Sequence, residues 1–192
     1  MATEVQVFRN GAYESIPYAD FSITNGISTR NVAPEASFAT TTTEPLNAAQ
    51  DARIVIDGTT AFEGYTRSGG TKQQSGQQSV ELLHPATELF DSQVTLNETG
   101  PPTDEEVLQA AITAADTDAS FTLDYDGTAT TLNNEYAVEA RSVSRVFRDM
   151  MDRTGRVWWV DPAGTTITVQ PKAFRGTWQS LDTEADPGVT VL

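Results

Sequence analysis

The sequence predicts a mainly β protein carrying an α+β lobe. Residues 1–84 form a small antiparallel barrel or sandwich, and residues 85–171 a lobe in which helices pack on strands. Three observations predict this. Tight-turn dipeptides, Asn10-Gly11 and Asp57-Gly58, separate stretches that alternate apolar and polar residues with period two, as half-buried strands do. Composition shifts after His84-Pro85, and apolar residues then recur at helical spacing. The stretch Tyr136 to Pro171 reads in order as strand, helix and strand hairpin.

Within the first lobe, Glu4 to Phe8 alternates and Tyr13 to Ile16 returns after Asn10-Gly11. Phe21, Ile23 and Ile27 fall around a turn at Asn25-Gly26, and Ala36 to Thr43 reads as a further strand. Ala52 to Ile56 and Thr60 to Tyr65 flank Asp57-Gly58, a type I′ pair, with Ile54 and Ile56 on the buried face. Ser68 to Gln77 is a polar loop, and Ser79 to Leu83 resumes as a strand. The count is four to six antiparallel strands.

In the second lobe, Ala86 to Phe90 makes about one helical turn and Val94 to Leu96 a short strand. After Gly100-Pro-Pro102, Thr103-Asp-Glu-Glu106 is a capping box opening a helix to about Ala115. Its stripe is Val107, Leu108, Ala111, Ile112 and Ala115. Phe121 to Tyr125 is a strand ending at a second hairpin signal, Asp126-Gly127, and Tyr136 to Ala140 another strand. Ser142 or Ser144 suits an N-cap, and Val143, Val146, Phe147, Met150 and Met151 then line one helical face. Gly155 closes that helix in the left-handed conformation. Val157 to Val160 and Thr165 to Val169 form a hairpin across Asp161-Pro-Ala-Gly164, which the helix buries. Residues 172–192, with Trp178, Leu181, Val189 and Val191, rejoin the barrel or contact a neighbour.

The formal net charge of −15 argues against binding nucleic acid, which needs a basic face. Lys72 and Lys172 are the only lysines. Abundant carboxylates with scarce lysine resemble adaptation to molar salt, where screening removes self-repulsion; an ordinary acidic protein is the alternative. There is no cysteine, hence no disulfide or thiolate metal site. No run approaches the roughly 20 apolar residues of a membrane helix. The amino terminus lacks a basic-then-apolar signal pattern.

Chemistry-bearing motifs are scarce. His84 is the one histidine, and at a strand end before proline it reads as structural. No G-x-S-x-G elbow, P-loop or G-x-G-x-x-G occurs. Asp124 and Asp126 could hold calcium with backbone oxygens, but lack the EF-hand spacing and read better as a solvated turn; Asp116 and Asp118 read the same way. Adjacent Trp158 and Trp159 point to opposite faces of a strand. One fills the core; the other is covered by a lobe, meets another subunit, or stacks on sugars. The expectation is no catalytic, cofactor or metal residue, and no enzyme.

The order of motifs resembles the baseplate-hub family of tailed phages, represented by late-control protein D and the amino-terminal part of type VI secretion spike proteins. The residues carrying it are Ile54-Val-Ile-Asp-Gly58, Phe62-Glu-Gly64, Val80 to Leu83, the Thr103 to Ile112 helix, Tyr136-Ala-Val138 and Arg156 to Pro171. The resemblance implies a tail-tube-like β barrel with an inserted α/β lobe, and trimeric rings at the tip of the tail tube. It implies a structural virion protein at the tail tip, assembled in the host cytoplasm, with itself, the tail tube and other baseplate or spike proteins as partners. The acidic composition adds a tailed virus of a halophilic archaeon as the source. Family members carry a second barrel after the inserted lobe, whereas this sequence ends at Leu192. Alternatives are a host-surface glycan-binding module and a distal tail or connector protein. Ser68–Gln77 and Phe174–Leu192 are the candidate contacts between subunits.

Overall fold

The computed structural model describes residues 2–24, 33–42, 46–67, 71–72 and 76–172. The first lobe holds strands β1 (Thr3–Arg9), β2 (Ala12–Ile16), β3 (Tyr18–Thr24), β4 (Glu35–Thr40), β5 (Asp51–Ile56), β6 (Thr59–Thr66), β7 (Thr71–Lys72) and β8 (Gln78–Leu83). Both predicted tight turns form, with positive φ at Asn10, Gly11, Asp57 and Gly58, the conformation a type I′ turn requires. The strands pair in the order β2-β1-β5-β6-β8-β4-β3, with β7 beside β8. The sheet thus has eight strands, more than the four to six expected. Part of the difference is β7, lying within the predicted polar loop. The predicted turn at Asn25-Gly26 lies outside the described residues.

Strands β2 and β3 stand at opposite ends of this order, yet only Pro17 separates them. The sheet must therefore curl until its ends meet, making a barrel whose seam is one bent strand. Proline suits the corner because it has no amide to leave unpaired where the chain changes partners. Its carbonyl accepts from the Thr40 hydroxyl, and the Tyr18 hydroxyl donates to the Thr3 carbonyl at 3.1 Å across the seam. Gly64 allows β6 to approach β8: a Cβ there would lie 2.2 Å from the Leu83 carbonyl oxygen.

Val5, Val7, Phe38, Ala52, Ile54, Phe62, Val80 and Leu82 fill the barrel. A register irregularity between Ile54 and Val55 breaks the alternation. Ile54 is fully buried, while Ile56 packs half-buried at the rim of the same core. Ile54→Asp is therefore expected to cost several kcal/mol, since it places an unpaired charge in an apolar layer, and Ile56→Asp clearly less. Equal losses in urea unfolding would contradict that register.

The second lobe runs α1 (Ala86–Asp91), β9 (Gln93–Glu98), α2 (Asp104–Ala114), β10 (Thr122–Tyr125), β11 (Tyr136–Ser142), α3 (Val143–Thr154), β12 (Arg156–Val160) and β13 (Thr166–Pro171). The predicted capping box is present at α2, with Thr103 and Glu106 each satisfying the other's amide. Gly155 closes α3 at φ 66°. Ser142 is the N-cap of α3 but makes no side-chain cap; instead the Val143 amide bonds the Ser92 carbonyl. All five predicted stripe residues of α3 are buried. Phe147, Phe90 and Trp158 form one aromatic cluster with ring centroids 4.7–5.6 Å apart.

Asp126-Gly127 is not a hairpin turn. β10 pairs in parallel with β13, as an edge strand of a sheet ordered β10-β13-β12. Gly127, at φ 87°, turns the chain away from the sheet rather than back along it. The dipeptide supplied the positive φ, and the long-range partner decided its use. β11 and β9 make a separate antiparallel pair, with a bulge where Ala140 has φ 46°.

Candidate assembly surface and the lobe junction

Alternation along β12 and β13 sends Arg156, Trp158, Val160, Ile167 and Val169 into the core. The opposite face then carries Val157 and Trp159 beside Gln170 and Thr168, their register partners. Trp158 is 7% exposed and belongs to the core, and Trp159 is half-buried on the outer face. Both orientations follow the sequence expectation. A groove of about 670 Å³ runs over Val157, Trp159, Pro162, Thr166, Thr168 and Gln170, with Asp161 at its end as its charged residue. β12 is also a terminal strand of its sheet among the described residues. The chain thus presents a mostly uncharged face, one large aromatic and a strand edge on a strongly acidic molecule.

A second exposed aromatic group lies on the barrel. Phe8 is 41% exposed and meets Tyr13 edge-on at 5.3 Å, while the Arg53 guanidinium stacks on Tyr13 at 4.0 Å. Burial, then the Glu63 charge, pushes the Tyr13 phenol up. No local motif marks this group, although alternation with buried Val5 and Val7 already turns Phe8 outward.

A buried ion pair is also marked by no local motif. Asp104, wholly buried at the start of α2, faces Arg156 of β12, with Oδ2 3.3 Å from Nε. Arg156 also donates to the carbonyls of Asp126 and Thr128 at 2.8 and 2.6 Å, and its guanidinium stacks on Tyr125 at 4.4 Å. Asp104 Oδ1 accepts from the amides of Thr130 and Glu105. Burial, then Asp104, pushes the Tyr125 phenol up. This network ties α2, β12 and the 126–132 connection together. No local pattern distinguishes Asp104 from its neighbours Glu105 and Glu106, because its partner lies 52 residues away (156 − 104).

Asp124 and Asp126 are exposed, and the Asp126 carbonyl is engaged by Arg156. Asp116 and Asp118 are also exposed. The structure brings none of these together: among the described residues no group of three or more His, Asp or Glu could hold a metal ion. No helix among them is long and apolar enough to cross a membrane.

His84 stands where the lobes meet. It is 1% exposed and packs edge-on against Phe62 of the barrel at 6.0 Å. Its Nε2 lies 2.9 Å from the Gly164 carbonyl oxygen, and its Nδ1 is 3.1 Å from the Ala86 amide. Alongside, the Glu63 amide of β6 donates to the Pro162 carbonyl at 2.9 Å. The Tyr65 hydroxyl donates to Glu88 of α1 at 2.9 Å. Burial, then that carboxylate, pushes the Tyr65 phenol up to about 12. Among the described residues, the 161–164 turn and α1 thus both dock the second lobe on the barrel.

No family model matches the sequence, and no curated protein sequence matches it. Several solved structures share its fold. The 43 kDa tail protein of prophage MuSo2 from Shewanella oneidensis superposes with a TM-score of 0.67 at 11% identity, covering 90% of this chain and 56% of its own. The tail protein from Neisseria meningitidis MC58 gives 0.63 at 16% identity, covering 88% of this chain and 50% of its own. Prophage tail protein gp18 from Listeria monocytogenes EGD-e gives 0.60 at 14%, with coverage of 88% and 50%. This chain therefore spans about half the length of each. What it shares with these tail proteins is the mainly β fold with its α+β lobe.

Proposed function

We propose that this chain is a structural, non-enzymatic subunit of a viral tail, and more specifically a ring-forming baseplate-hub subunit, trimeric, at the distal end of the tail tube. The observation that carries this reading is a fold shared over 90% of the chain with a prophage tail protein. The hub-like order of motifs supports the finer placement, and so does the Trp159 face, mostly uncharged with Asp161 at its end, the kind of surface an assembling subunit needs. The partners are copies of itself, the tail tube and other baseplate proteins, in a virion assembled in the host cytoplasm. The lysine-poor, acidic composition supports a halophilic archaeal host.

Copies carrying a net charge of −15 repel one another. The screening length is about 10 Å at 0.1 M salt and about 3 Å at 1 M, so ring closure depends on salt and on contacts free of charge. The purified full chain is expected to have the mass of a trimer in molar salt, and to dissociate as salt is lowered. Trp159→Ser should keep the fold and weaken association by about 2 kcal/mol or more, as loss of a buried aromatic anchor does. Deleting Trp178–Leu192, a segment outside the described residues, should abolish assembly while the second lobe stays folded. A monomer at every salt and protein concentration would count against the ring. A host-surface glycan module, the second reading, rests on the same tryptophan; it predicts a Trp159 face left open, with glycan binding by the monomer.

A further inference from the structure

We propose that His84 is a proton-operated latch between the barrel and the second lobe: neutral, it clips the 161–164 turn to the β8–α1 junction, and protonated, it lets that turn go. The geometry fixes one charge state. The Gly164 carbonyl oxygen can only accept, so Nε2 carries the hydrogen in the 2.9 Å bond. The Ala86 amide can only donate, so Nδ1 must be bare in the 3.1 Å contact. Both nitrogens are satisfied by the neutral Nε2–H tautomer and by no other form. A second proton would set an N–H against the Ala86 N–H, leaving that amide without its acceptor at the first turn of α1. It would also place a charge in a site 1% exposed, against the Phe62 ring.

The charged groups around the ring do not reverse this. Burial is the largest influence and holds the group below its ordinary value, against the bond to Gly164, the Asp161 charge on the docked turn and the Asp161 backbone, which all favour the imidazolium. On α1, Glu88 is engaged by the Tyr65 hydroxyl. On β6 and β8, the exposed Glu63 accepts from Tyr13 and the exposed Glu81 pairs with Arg67. A base whose folded-state value is depressed takes up its proton more readily once released. The latch is therefore at full strength above the ordinary histidine value near 6.5, and weakens as pH falls below it.

The test is amide hydrogen exchange on the full chain in molar salt between pH 7.5 and 5.5, corrected for intrinsic rates. The Glu63 amide, which bonds Pro162 across the junction, reports the latch; the Met150 amide inside α3 reports the lobe itself. Glu63 protection is expected to fall by up to about tenfold per pH unit below 6.5, the limit for uptake of one proton, while Met150 protection holds. His84→Gln keeps an N–H for Gly164 but cannot titrate, so its Glu63 protection should lose the pH dependence. Should that variant not fold, the C2 proton resonance of the one histidine in the wild-type chain reads the titration directly, and its midpoint should lie below 6.5, at the pH where the Glu63 loss levels off. Constant Glu63 protection while His84 titrates would overturn the proposal. So would an unchanged pH response in His84→Gln, which would move the effect to carboxylates.

Discussion

Asp104→Ala is expected to cost about 3–5 kcal/mol, because it leaves the Arg156 guanidinium buried without its counter-charge. The side chains are 0% and 6% exposed, so water cannot replace the carboxylate without opening the lobe. The carbonyls of Asp126 and Thr128 would still accept from Arg156 but carry no full charge. The amides of Thr130 and Glu105 would lose their acceptor as well. The exposed pair Arg67–Glu81 is the natural control: its side chains are 64% and 65% exposed at 3.2 Å, and such pairs contribute about 0–1 kcal/mol. Urea unfolding in molar salt should separate the two, since salt screens the surface pair and hardly reaches the buried one. A loss below about 1 kcal/mol for Asp104→Ala would mean that Arg156 finds solvent and the clamp is not structural.

Phe147→Ala should cost a similar amount, about 3–5 kcal/mol, through lost burial plus the cavity it leaves. Phe147 is fully buried, with the rings of Phe90 at 5.6 Å and Trp158 at 5.2 Å. That cluster is where α1, α3 and β12 meet, so the cavity cannot close without moving one of them. The loss should stay within the second lobe, since the barrel core is a separate cluster. Trp158 emission should shift to the red at lower urea, with amides of β1 and β5 still protected. A barrel that loosens in parallel would show the two cores to be one cooperative unit.

Phe147 and Asp104 differ in how they are read. Phe147 lies in a stripe at i, i+3, i+4, i+7 and i+8, a signal contained within one helix. Asp104 sits among three acidic residues in a first turn, where the helix dipole favours any of them. Burial of that one carboxylate depends on Arg156 arriving from another element. His84 is the intermediate case. Its place before Pro85 marked it as structural, while its acceptor, Gly164, lies 80 residues on.

Local chemistry determined the elements: turn dipeptides set the hairpins at Asn10-Gly11 and Asp57-Gly58, Thr103 and Glu106 opened α2, and Gly155 closed α3. Period-two and helical spacing determined which faces are buried, including the opposite fates of Trp158 and Trp159. The tertiary structure decided everything that depends on pairing at long range. It rolled an eight-stranded sheet around Pro17, turned the Asp126-Gly127 signal into an exit from a parallel strand, and slipped Ile56 to the rim. It also paired Asp104 with Arg156 and set His84 against the 161–164 turn. The division is physical. A turn or a cap is decided by backbone torsions and hydrogen bonds within a few residues, which a sequence window contains. Strand partners and buried counter-charges are decided by desolvation, which acts only once distant segments have closed on one another.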